Sequence, residues 1–144
     1  MRYLKHIFNK IIRKLLATLE AKQDAILMMN GHLSVQNMLA NDNIEKLSDV
    51  EFKVYSQWEE DGIIAFLVSK LKIENNVFIE FGVENYTESN TRFLLKKFNW
   101  SGLVIDGSKD NIDYINKDEI MWKYNLTPLQ AFITKDNIND LISS

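Results

Sequence analysis

Apolar positions set the period of this chain, and the period changes part-way along it. Over residues 4–19 they fall at Leu4, Ile7, Phe8, Ile11, Ile12, Leu15, Leu16 and Leu19, the i, i+3, i+4, i+7 spacing of one helix face. The pattern continues through Ile26, Leu27, Met29, Leu33 and Met38, with Asn30-Gly31 marking a candidate break. Asn41-Asp42-Asn43 reads as a polar hinge. It predicts an N-terminal helical segment over residues 1–43 and a separate domain over residues 44–144.

Beyond the hinge, Ile63, Ile64, Phe66, Leu67 and Leu71 supply the buried stripe of a second helix. Ser56 is placed as its N-cap, and Glu59 stands three residues on, as in a capping box. Strand character then takes over. Val77-Phe78-Ile79-Glu80-Phe81 and Leu103-Val104-Ile105-Asp106 are short β-branched or aromatic runs, each carrying an acid where strand should meet loop. Between them, residues 87–98 carry Phe93, Leu94, Leu95 and Phe98 at helical spacing, with Thr87, Ser89, Asn90 and Thr91 available to cap the start. This is a βαβ unit.

A short helix over residues 109–117, with Ile112 and Ile115, comes next. Met121-Trp122-Lys123-Tyr124-Asn125-Leu126 is expected as a third strand, stopped by Pro128. A last helix is expected from residues 134–137 through Ile138, Leu141 and Ile142. The fold class expected is therefore α/β: a partial, Rossmann-like parallel sheet of about three strands, preceded by an amphipathic helical segment. Such a sheet is about half of a doubly wound one, so the chain is expected to be truncated on its C-terminal side, with one sheet edge unpaired.

Composition narrows the class. The 144 residues are 46% hydrophobic and 11% aromatic, enough for the core of one ordinary domain. With no cysteine, disulfides and thiolate metal sites are excluded and a reducing cytoplasm is the expected location. The formal charge of −3 is unevenly spread. Arg2, Lys5, Lys10, Arg13 and Lys14 stand among the first nineteen residues without an acid, which leaves −8 on the remainder. An acidic body argues against nucleic acid as a partner. The basic amphipathic helix over residues 1–19 suits self-association with another helix, or peripheral contact with an anionic surface such as the inner face of the membrane. The longest uncharged stretch, residues 25–41, is broken by six polar or glycine positions and does not read as a membrane span.

The chemistry concentrates at the strand ends. In open parallel sheets, ligands bind outside the carboxyl ends of the strands, which is where Glu80, Gly82, Asp106 and Gly107 should gather. A dinucleotide turn needs G-x-G-x-x-G. Here Gly82 stands alone, followed by Val83, Glu84, Asn85 and Tyr86, and Glu80 and Glu84 would repel a pyrophosphate. A phosphate-free nucleoside bearing an ammonium group suits these charges better, and S-adenosylmethionine is such a ligand. Glu80 would receive its amino group and Asp106 both ribose hydroxyls. His6 and His32 have no ligands at metal spacing, no metal site is expected, and no nucleophile-base set can be assembled. Glu59, Glu60 and Asp61 are expected to face solvent. Trp58, Trp100 and Trp122 are expected to pack, and Tyr86 to lid or narrow the site. Arg92 is the candidate partner of Glu80 if that acid is structural.

These residues also carry a resemblance. The segment 56–62, SQWEEDG, with Phe78-Ile79-Glu80-Phe81-Gly82, Ser89-Asn90-Thr91 and Val104-Ile105-Asp106, resembles the N-terminal half of bacterial class I S-adenosylmethionine-dependent methyltransferases of the FkbM-like type. The likeness spans roughly two-thirds of the chain. It implies that Glu80 and Gly82 hold the methionine part, Asp106 the ribose, Gly107 and Ser108 the adenosine edge and Asn125 the adenine amine. Gln57, Val83 and Asn90 complete the implied cofactor set. It implies methyl transfer to an oxygen or nitrogen of a small molecule or glycan. The alternative is a truncated or degenerate paralogue without catalysis, acting through helix-mediated association.

Overall fold

A computed structural model describes residues 2–143, with side chains from Leu4; Met1 and Ser144, at the ends of the two expected segments, lie outside the described residues. The chain runs as helix α1 (Arg2–Ala40), a 3₁₀ turn (Leu47–Asp49), α2 (Glu60–Lys70), strand β1 (Val77–Phe81), α3 (Arg92–Phe98), β2 (Ser101–Asp106), α4 (Lys109–Ile115), α5 (Ile120–Lys123), β3 (Leu126–Gln130) and α6 (Ile138–Ser143). The expected α/β class is the one observed. The three strands form one parallel sheet in the order β1-β2-β3.

Alternation along the strands explains the layering. Phe78 of β1, Val104 of β2 and Leu126 of β3 are buried in one cluster with Leu94, Leu95, Ile112, Ile115 and Ile120 from the helices. The intervening residues Val77, Ile79 and Phe81 are exposed. Leu103, Thr127 and Leu129 line a groove on that second face, which Ile142 of α6 borders. One face of the sheet is thus covered, and the other is open except at Ile105, which is buried.

α1 is a single helix of 39 residues. Asn30-Gly31 does not break it, because Gly31 is where the helix meets the body. A Cβ there would come within 2.6 Å of Val54 Cγ2 and 2.9 Å of Phe93 Cε2. Val35 and Met38 of α1 are buried with Val50, Val54, Tyr55, Ala65 and Phe93, so this core draws on both sides of Asn41-Asp42-Asn43. Lys96 adds an ion pair to Asp24 of α1 at 2.8 Å, and the Tyr55 hydroxyl donates to the same carboxylate at 2.5 Å. Burial pushes the Asp24 carboxyl up, but the hydrogen bonds from Lys96 and Tyr55 outweigh it and hold the group below the ordinary carboxylate range. Burial first, then the Asp24 hydrogen bond, pushes the Tyr55 phenol well above its usual value.

Three expected elements move. Residues 121–123 are helical, in α5, and the third strand is Leu126–Gln130. Pro128 lies inside it, paired in register with Val104. β3 is an edge strand, where the missing N–H of proline is tolerated. The helix expected over 87–98 begins only at Arg92, because residues 87–91 are consumed by the turn described below. α2 begins at Glu60, and Glu59 before it is left-handed, with φ 110°. Ser56 is therefore not the N-cap residue, although its Oγ accepts from Asp61 N in the first turn at 3.1 Å.

Candidate functional site

β1 ends in a left-handed glycine. Gly82 has φ +67° with open space where a Cβ would stand, and its N–H donates to Ile105 O at 2.8 Å, so the chain leaves the sheet one residue past the strand. The neighbouring strand ends in Asp106, 8% exposed. Its Oδ2 accepts from Glu84 N at 2.9 Å, and its Oδ1 from Ser108 N at 2.8 Å and Asn111 Nδ2 at 3.0 Å. One carboxylate therefore ties the loop after β1 to the loop after β2. Ser108 then caps α4, with its Oγ accepting from Asn111 N at 3.4 Å.

An open recess of about 480 Å³ lies over these strand ends, lined by Phe81, Gly82, Ile105, Asp106, Gly107, Ser108, Ala131, Phe132 and Ile133. Four of the sequence-predicted residues, Gly82, Asp106, Gly107 and Ser108, are gathered here. Phe132 is the residue that sequence reasoning missed. It follows β3 at the sheet's carboxyl edge, is 79% exposed, and reaches within 2.3 Å of where a Cβ on Gly107 would stand. Its signal was the Ala131-Phe132-Ile133 run after Leu126–Gln130, hidden by reading Pro128 as a terminator. Among the described residues Asp106 is the only ionisable one in the lining.

Glu80 stands behind this recess. Its side chain is on the covered face, where Oε1 accepts from Asn90 N at 3.0 Å, and Oε2 from Thr91 N at 3.1 Å and Thr91 Oγ1 at 2.5 Å. The acid thus holds the turn that starts α3. It does not pair with Arg92. That guanidinium donates to Tyr86 O at 2.8 Å, lies 3.6 Å from Asp118 and sits over the rings of Tyr55 and Tyr86 at 5.3 and 5.6 Å. A carboxylate offers about four acceptor sites. With three donors already on each acid, Glu80 and Asp106 each keep about one free site, so Asp106 can receive one hydroxyl rather than both of a diol.

The other sequence-predicted residues lie elsewhere. Val83 is buried in the core at 3% exposure. Asn90 is exposed and acts through its backbone N–H on Glu80. Gln57 is exposed, and its carbonyl accepts from Lys53 Nζ at 2.8 Å. Asn125 precedes β3 and donates to Ser101 Oγ at 3.0 Å, at the amino edge of the sheet and the opposite end from Asp106. Its expected place at a strand end followed from the misplaced third strand. Tyr86 does not lid the site: it is fully buried, with its hydroxyl 3.0 Å from Thr91 Oγ1. Burial pushes its phenol above the usual range. Trp100 packs as expected, whereas Trp58 and Trp122 are 72% and 76% exposed.

Asp61, expected in solvent, is 1% exposed. Its Oδ2 accepts from the backbone N–H groups of Val54, Tyr55 and Ser56 at 2.6–2.8 Å. Gly62 follows because a Cβ there would come within 1.9 Å of Val50 O. The SQWEEDG stretch therefore builds the entry to α2 rather than the recess.

Among the described residues no cluster of histidine, aspartate and glutamate converges for a metal ion, and no helix is long and apolar enough to cross a membrane. No protein-family model, curated protein or solved structure matches the chain. The recess has to be read from its own chemistry. Among the described residues it offers one carboxylate, an open glycine turn at Gly82, a second glycine at Gly107 covered by the ring of Phe132, and no cation.

Proposed function

We propose that the recess at the carboxyl edge of the sheet takes the nucleoside of S-adenosylmethionine, and that the chain supplies the cofactor-binding part of a class I, FkbM-like methyltransferase. The observation that carries this reading is that Asp106 and Phe132 line one recess with no basic residue among the described ones. A phosphate-bearing nucleotide needs cations or a glycine-rich helix start. A nucleoside needs an acceptor for a ribose hydroxyl and a ring to stack on, and both are here.

The residues fit such a group. The open space at the Gly82 Cβ position leaves room for the ligand to approach backbone. Asp106 receives one ribose hydroxyl through its remaining acceptor site, and Phe132 covers the base. Gly107 and Ser108 form the floor between them. Glu84, exposed in the turn after Gly82, suits an ammonium group. When bound, the cofactor supplies an electrophilic methyl group on a sulfonium centre. This chain's part is to hold and orient it, which is the larger share of catalysis for a transfer that depends on alignment. The acceptor on this reading is an oxygen or nitrogen of a small molecule or glycan, reached in a reducing cytoplasm.

Calorimetric titration with S-adenosylhomocysteine tests the proposal. A saturable heat that weakens in Asp106→Asn supports it. No saturable heat with the folded protein refutes it.

A further inference from the structure

The face of α1 that packs on the body and the face that carries its apolar stripe are opposite faces. Placing residues at about 100° per residue around the helix, the packed positions Asp24, Leu27, Gly31, Val35 and Met38 cluster on one side. The stripe from Leu4 to Leu19 is centred on the other, and Ile26, Met29 and Leu33 extend it. All of these stripe residues are exposed: Leu4 at 70%, Phe8 at 61%, Leu15 at 59%, Leu19 at 62% and Met29 at 61%. Leu4 to Leu33 is about 44 Å of helix at 1.5 Å per residue, a line turned away from the body that is apolar as far as Leu16 and interrupted by Thr18 and Lys22 before Ile26. A flat surface can meet it without touching the sheet domain.

The chemistry of this face selects its occupant. The apolar arc over residues 4–19 is about 180° wide at helical periodicity, wider than the narrow two-position seam of a coiled coil. The flanking charges are all of one sign: Lys5 and Lys14 stand at the arc's two borders, with Arg2, Lys10 and Arg13 beyond them and no acid before Glu20. A second copy laid along the same stretch would bring the border lysines of both copies, Lys5 and Lys14, to one seam with no acid to pair them. An anionic surface would be met by complementary charge along both borders. Since no described helix is apolar enough to cross a bilayer, contact is in the plane of the surface. We propose that the outward face of α1 is an amphipathic anchor for bilayers rich in anionic lipid, with the apolar stripe seated among the acyl chains and Lys5 and Lys14 at the headgroups. The inference is independent of what the recess binds.

Flotation of the full chain with vesicles of phosphatidylcholine alone, or of phosphatidylcholine mixed with phosphatidylglycerol, tests it. The expected result is binding to the mixed vesicles only, weakened by salt. Lys5→Ala and Lys14→Ala should each weaken it about fivefold. Ile11→Asp with Leu15→Asp should abolish it while circular dichroism and melting stay unchanged, since both side chains are exposed. Equal binding to both vesicle types, or none to either, overturns the proposal. So does a dimer in light scattering that Ile11→Asp with Leu15→Asp dissolves in the absence of vesicle binding, which assigns the face to a second copy.

Discussion

Ser56 and Asp61 hold one another in both directions: Ser56 Oγ donates to Asp61 Oδ2 at 3.0 Å, and Asp61 N donates to Ser56 Oγ at 3.1 Å. The same Oδ2 also takes three backbone N–H groups. Asp61→Ala leaves those buried donors without an acceptor, at about 1–3 kcal/mol for each one left unpaired. Urea unfolding should show a loss of about 3 kcal/mol or more, with Asp61→Asn losing less because it keeps an acceptor of the same shape. A loss under 1 kcal/mol for Asp61→Ala would show that the turn holds without it.

Gly31→Ala sets two effects against each other. Alanine gains about 1 kcal/mol of helix propensity over glycine in a helix interior. The added methyl, however, would lie within 2.6 Å of Val54 and 2.9 Å of Phe93, both buried, and overpacking costs about 1–3 kcal/mol. The clash should win, lowering stability by about 1 kcal/mol and loosening α1. A raised melting temperature would show that α1 does not sit this close.

The Asp24 carboxyl titrates below its ordinary value in the folded protein. A depressed carboxyl contributes stability that is full above its unfolded value of 3.8 and disappears as pH falls through the lower folded one. Asp24→Asn should therefore be less stable at neutral pH by about 1 kcal/mol, since the side chain is partly exposed. The gap should close on acidification below the ordinary value. Unfolding curves of the two proteins across acid pH measure it, and a gap that widens toward acid would reverse the assignment.

What could be read from the sequence is what local pattern decides. β1, β2 and the strand-end residues Gly82 and Asp106 follow from short apolar runs ended by a turn residue, and these the structure brings together. The misreadings at Gly31, Asp61 and Pro128 come from contacts that periodicity and propensity do not display. Gly31 looks like a helix breaker unless Val54 and Phe93 are known to lie against it. Asp61 looks like one of three solvent-facing acids until residues 54–56 fold back onto it. Pro128 stops a central strand but not an edge strand, and edge position is a property of the whole sheet. Misplacing β3 by a few residues then moved the expected adenine contact to Asn125, at the wrong end of the sheet, and hid Phe132.

Phe132 separates ligand binding from folding more cleanly than any acid in the site. Asp106 organises two loops, so its replacement disturbs structure and ligand together. Phe132 is 79% exposed, so Phe132→Ala should leave unfolding in urea within about 0.5 kcal/mol of the parent, as surface substitutions do. Stacking of a base on an aromatic ring contributes about 1–3 kcal/mol. Affinity for S-adenosylhomocysteine should therefore fall about tenfold or more, while Phe132→Tyr, which keeps the ring, should bind as the parent does. If alanine and tyrosine bind equally well, the ring is not the wall of the nucleoside site, and Asp106 would have to hold the ligand from another side.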